Sequence, residues 1–252
     1  MSEETQPEIA PAEDRGSWAP WWHTVLLIAF ILFTSYGSSL HTKESASATP
    51  QPTRAAQYVG NIAMQWTVVA FVWWGLHLRK RTLGEAIGRK WRRFEDALFD
   101  FALAFGFWMA SGAALYGIQK LLGIANNEAM KQRLRGLQFI TPKTGRELVL
   151  FICLAATAGL CEEIIFRGYL QRQFMSATRN TIAGITASAA LFGLAHGYQG
   201  GKMMIVLGCY GAMFGTLAHF RRSLLPGMIA HAGQDSLVGV LLFAMSRSGS
   251  LK

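Results

Sequence analysis

Seven apolar runs, each long enough to form a membrane helix, constrain what this chain can fold into. They cover about residues 18–40, 61–78, 96–118, 147–174, 181–199, 203–220 and 224–245 of a 252-residue sequence. About 20 apolar residues take a helix across the hydrocarbon core, and lipid leaves backbone polar groups no partners outside the segment itself. The expected fold is all-α, a polytopic transmembrane helical bundle of about seven spans, with six to eight as the range that soft boundaries allow. Composition agrees: 51% of residues are hydrophobic and 15% are charged, against about 25% charged in soluble domains. Mean hydropathy is +0.24.

The runs divide the chain. Residues 1–17 are polar and acidic (Glu3, Glu4, Glu8, Glu13 and Asp14, with Pro7 and Pro11) and predict a disordered tail. Residues 18–146 hold N-terminal membrane helices and basic loops, 147–245 a core rich in intramembrane polar groups, and 246–252 a short tail. Ala46-Ser47-Ala48 resembles a signal-peptide cleavage site. The preceding tail is acidic, however, and the apolar stretch ends well upstream, so the first run is expected to stay as an uncleaved helix. His41 to Tyr58, rich in Ser, Thr and Pro, predicts a loop.

The formal charge of +9 lies in short basic clusters between apolar runs. Such clusters set orientation and meet anionic lipid in the bilayer; they argue against nucleic acid as a partner. The strongest cluster, Arg79-Lys80-Arg81 through Arg89-Lys90-Trp91-Arg92-Arg93, is expected on the cytoplasmic side, which also places Arg221 and Arg222 inside. Lys131, Arg133, Arg135, Lys143 and Arg146 then fall outside, a conflict relieved if part of 119–146 lies along the surface as an amphipathic segment. Cys153, Cys161 and Cys209 sit in apolar runs without CxxC spacing, which argues against disulfides and a structural zinc site.

Glu162 and Glu163 stand side by side within the fourth run, followed by Arg167. A charge at the bilayer centre costs roughly 2.5 kcal/mol or more and is by default a functional-site candidate. Glu163 and Arg167 are four apart and share a helical face, so they predict a structural charge pair near the site. Glu162 has Phe166 at that position and stays free for chemistry; consecutive helical residues diverge by about 100°. His196 is the one strongly polar group of the next run, and the connector near Ala177 to Asn180 puts it at a depth similar to that of Glu162. In the last run His231 and Asp235 share a face, although a full-length 203–220 helix sets them nearer the opposite side. Gly193, Gly197, Gly211 and Gly215 allow close helix approach around His196. His23, His41, His77 and His219 fall at expected helix ends or loops and read as ordinary interfacial residues.

Three chemistries suit these groups. Glu162, assisted by His196, can activate a water while His231 and Asp235 hold an oxyanion. Glu162, His196 and His231 can instead ligate zinc, although HExxH is absent. A proton or ion path in a transporter is the third.

At these residues the sequence resembles the CPBP family of CAAX-processing and bacteriocin-processing (Abi) membrane proteases. Glu162-Glu163…Arg167 matches the family's EExxxR, Phe192…His196 its FxxxH, and His231…Asp235 its HxxxN/D, in the right order. The resemblance implies an intramembrane endopeptidase cutting a membrane-associated protein or peptide, with Glu162 as base, His196 as its partner, and His231 with Asp235 at the oxyanion. It favours a glutamate-type enzyme with no cofactor over a zinc enzyme, in an integral membrane protein whose host by family distribution is a bacterial inner membrane. Asp235 departs from the Asn usual in prenyl-protein processors, and an ionised Asp has no hydrogen to donate, which puts prenylated substrates in doubt. The competing class is a non-proteolytic transporter or bacteriocin-immunity-type binding protein using the same buried groups.

Overall fold

Capping, apolar length and a few glycines account for most of the helix boundaries. The computed structural model describes residues 16–44 and 52–249, with only the backbone for 38–44, Met130, Arg133 and Arg135. Most of the acidic tail expected over 1–17, the middle of the 41–58 loop, the side chain of His41 and residues 250–252 lie outside that description. Among the described residues the chain is helical and its only extended pairing is one antiparallel bridge between Gly88 and Ser223. Helices run as α1 (Trp21–Glu44), α2 (Arg54–His77), α3 (Leu83–Ile87), α4 (Phe94–Leu121) and α5 (Asn127–Gly136). α6 (Gly145–Glu162) continues through a π-helical stretch, Glu163–Leu170, into α7 (Gln171–Thr178). α8 (Thr181–Ala195), α9 (Gly201–Arg221) and α10 (Leu225–Arg247) complete the bundle.

The polytopic all-helical class is as expected, with differences in detail. Among the described residues five helices are long and apolar enough to cross a membrane; Trp21–Gly37 and Thr181–Ala195 are shorter apolar helices. The expected loop over 41–58 is partly helix, because α1 reaches Glu44 and α2 begins at Arg54, where Thr53 Oγ1 accepts from Ala56 N at 3.3 Å. α6 starts with a capping box in which Thr144 and Glu147 exchange side-chain and backbone hydrogen bonds. α8 stops at Ala195, short of the expected 199, and a 3₁₀ turn over Gly197–Gln199 follows. The basic stretch between α4 and α6 includes the short helix α5.

Close packing of α6 with α10 and of α8 with α9 builds the core around the polar residues. A Cβ at Gly159 would lie 2.5 Å from the backbone N of Ala232, and one at Gly193 would lie 2.5 Å from the Met204 carbonyl oxygen. Gly211 likewise abuts Ala189 and Phe192. Small residues at such crossings let backbones approach and gain dispersion contacts, which replace the hydrophobic drive that lipid removes.

The segment after α9 resolves the depth problem. α9 is full length at 21 residues, yet His231 reaches the carboxylates, because the α9–α10 connection is pinned back onto the bundle. Arg89 N donates to Arg222 O and Leu224 N to Ile87 O, both at 2.9 Å, and Ser223 Oγ donates to Arg89 O at 2.8 Å. Leu224 then packs on Gly168, where a Cβ would meet its Cδ1 at 3.1 Å. From these touching points α10 rises to His231 while the π-stretch runs back to Glu163.

Gly159→Ala should drive α6 from α10 and lower stability by roughly 1–3 kcal/mol, read as a drop in Tm of the purified protein. Gly233→Ala, where a Cβ meets nothing within 4 Å, should leave Tm unchanged.

Candidate active site

The buried side of the site is organised by Arg167, which is 2% exposed. Its Nη1 lies 3.0 Å from Glu163 Oε1, and its Nη2 donates to Gly211 O at 3.2 Å. Phe192 and Phe214 flank the guanidinium at 4.4 and 5.1 Å from their ring centroids. A planar cation between aromatic faces gains from both rings as it leaves water. Ion pairing and these faces together offset a desolvation cost of several kcal/mol per buried ion.

His231 is the group on which three carboxylates converge. Its Nδ1 is 3.2 Å from Glu163 Oε1, while Nε2 is 3.8 Å from Glu162 Oε2 and 3.7 Å from Asp235 Oδ2. The first is a hydrogen bond; the other two are ionic contacts beyond hydrogen-bond length. Glu162 and Glu163, diverging by about 100° around the helix, thus address different nitrogens of one ring. The imidazole presents nitrogens on two sides, one to each carboxylate, and the π-stretch starting at Glu163 widens the helical turn between them. Such π segments recur at functional sites. The Glu162 and Asp235 side chains are 21% and 38% exposed, against 1% for Glu163.

His196 enters from the end of α8. Its Nδ1 is 2.7 Å from the Phe192 carbonyl oxygen, which can only accept, so Nδ1 is the donor and Nε2 is the nitrogen left for other partners. Its ring packs on Phe192 at 4.6 Å between centroids, and Phe192 in turn meets His231 at 6.4 Å. Among the described residues, no carboxylate lies within ion-pair reach of His196, so the structure brings Glu162 to His231 rather than to His196. Among those residues no group of three or more His, Cys, Asp or Glu side chains is placed to hold a metal ion.

Sequence reasoning missed two further polar positions. His23 is fully buried rather than interfacial, with Nδ1 2.9 Å from Tyr169 Oη, Nε2 2.8 Å from Phe71 O, and its ring stacked on Phe71 at 4.0 Å. Gly75 makes room for it, since a Cβ there would lie 2.3 Å from the imidazole. Asp100, 1% exposed, binds Arg221 Nε at 2.7 Å and Trp91 Nε1 at 2.8 Å, tying α4 to the end of α9. An ionisable group inside an apolar run was the available signal for both. Neither touches the Glu162–His231 cluster.

Arg167→Met should cost about 3–5 kcal/mol by leaving Glu163 unpaired in the core, seen as poor expression or a large fall in Tm. Adding Glu163→Gln to that variant should recover part of the loss.

One comparison with known proteins falls on the same part of the chain. Residues 144–237 match the family model described as "Type II CAAX prenyl endopeptidase Rce1-like". No curated protein and no solved structure is a significant match. The matched segment runs from the cap of α6 through the π-stretch, α8 and α9 to just past Asp235, and it holds Glu162, Glu163, Arg167, His196 and His231. Over residues 144–237, a little over a third of its length, the chain is similar to the Rce1-like members of the CPBP family of CAAX-type membrane proteases.

Proposed function

We propose that this protein is an intramembrane endopeptidase that hydrolyses a peptide bond of a membrane-associated protein or peptide through a glutamate-activated water. The observation that carries this reading is the contrast between two adjacent carboxylates. Glu163 is sealed at 1% exposure against Arg167, while Glu162 stays 21% exposed beside the same imidazole. A sealed, neutralised acid supports structure; an accessible one beside an oriented histidine suits proton transfer.

In this scheme water sits against the Glu162 carboxylate and the lone pair of His196 Nε2. Glu162 takes its proton as the oxygen attacks the scissile carbonyl, then returns the proton to the leaving amide nitrogen. The tetrahedral oxyanion forms on the side of His231, whose Nε2 is the donor. Glu163 accepts from His231 Nδ1 and thereby fixes the ring, a preorganisation that avoids reorientation during reaction. Asp235, 3.7 Å from Nε2, acts through His231 because an ionised carboxylate has no hydrogen to offer. No metal enters any of these steps. The substrate class carried by the matched family model is a CAAX prenyl protein; for this chain we infer the broader class of membrane-associated peptides.

Glu162→Gln should lower cleavage of a membrane-anchored reporter peptide by about 10²–10⁴-fold while Tm stays at the parent value, and His196→Ala should act in the same direction. Full activity in Glu162→Gln would refute the mechanism. Activity should survive a zinc chelator; loss that zinc restores would favour the metal-dependent alternative. Proton flux through vesicles without hydrolysis would favour the transporter reading.

A further inference from the structure

A second basic cavity lies at the end of the bundle that carries the 79–93 loop. It encloses about 510 Å³ and is lined by Trp18, Arg172, Ser176, His219 and Arg222, with Arg167 at its inner end and no carboxylate. Arg167 is committed to Glu163. Neither Arg172 nor Arg222 has a carboxylate within ion-pair distance among the described residues; Glu85, paired with Arg81 at 3.8 Å, acts on Arg172 only from beyond that distance.

The Arg172 side chain and the Arg222 backbone are held in place before any ligand arrives. Arg172 Nη1 donates to Glu85 O at 2.8 Å, and its guanidinium lies 4.7 Å from the Trp18 ring. Arg81, paired with Glu85 at 3.8 Å, packs on the same Trp18 ring at 4.4 Å. Arg222 adopts a left-handed backbone (φ +53°), and its carbonyl is tied to Arg89 N at 2.9 Å. A bulky side chain at positive φ is unusual and persists when the surroundings enforce it. Here the bridge to the 88–89 segment does so, and it turns the chain at the mouth of the cavity. One fixed guanidinium and a second arginine at the cavity mouth, in a lining without acids, match the charge of phosphate oxygens.

We propose that this cavity binds a phosphate group, supplied by the headgroup of an anionic phospholipid in the leaflet that contacts the 79–93 loop. Its location favours the lipid source, because Trp18 and the basic loop are residue types that meet headgroups. A ligand bridging Arg172 on α7 and Arg222 after α9 would also clamp the α9–α10 connection that sets the depth of His231. The proposal stands independently of the peptidase chemistry.

The test is a titration of the full-length protein in neutral detergent with short-chain phosphatidylglycerol, phosphatidylcholine and inorganic phosphate, read as Tm. Phosphatidylglycerol should raise Tm saturably, with phosphatidylcholine weaker because its choline brings a cation towards the arginines. Arg172→Gln/Arg222→Gln should weaken half-saturation by about fivefold for each arginine removed. Arg222→Glu alone, at an exposed position that spares the Trp18 stack, should weaken it as well. Arg79→Gln/Arg92→Gln, with equal charge loss on the neighbouring loop, should not. Equal protection by inorganic phosphate would support the phosphate site with a soluble source. Equal protection by phosphatidylcholine, or full phosphatidylglycerol protection of both cavity variants, would overturn the proposal.

Discussion

The buried contact between Arg167 and Glu163 is the interaction on which the rest of the core depends. It puts a full ion pair within an apolar bundle, where one partner alone would be prohibitively costly. Several neighbours accommodate it: Phe192 and Phe214 flank the cation, Gly211 supplies a carbonyl, and Gly227 leaves room beside the second Glu163 oxygen, where a Cβ would come within 3.3 Å. Because Glu163 is held by Arg167, it can hold His231 in turn. One structural pair thus orients the imidazole that faces the accessible acid.

The π-stretch makes this arrangement compatible with a continuous helix. Residues 145–178 form a single apolar span in which the π-turns begin at Glu163, the second of the two carboxylates. Ser188 Oγ donates to the Phe166 carbonyl at 2.6 Å, and Gln171 Nε2 donates to Gly215 O at 3.0 Å. Side chains from α8, and backbone from α9, therefore serve polar groups along the irregular part of the helix. Irregular backbone at membrane depth is tolerated where protein buries it, and here it leaves Glu162 and Glu163 with unequal access to the pocket.

Part of this was legible in the chain itself. Apolar runs fixed the helical class, the i,i+4 spacing of Glu163 and Arg167 predicted their pairing face, and the ordered EExxxR, FxxxH and HxxxD patterns pointed to the segment that the family model matches. Other features were not legible for physical reasons. Helical rotation alone separates Glu162 from Glu163, and only a ring with two nitrogens from another helix reunites them. Counting residues sent His231 to the wrong depth, because the 222–224 connection is held by backbone bonds to Ile87 and Arg89, more than 130 positions away in sequence. His23 looked interfacial at the start of α1, yet Tyr169 and Phe71 enclose it.

Sequence by itself determined that the chain is a membrane-type helical bundle and marked Glu162, Glu163, Arg167, His196, His231 and Asp235 as polar groups in its apolar runs, since hydrocarbon penalises each one regardless of topology. Tertiary structure decided which of them meet. Glycine crossings at 159, 193 and 211 and the clamp on the α9–α10 turn set helix distance and height, and long-range contacts of that kind leave no local pattern in the sequence.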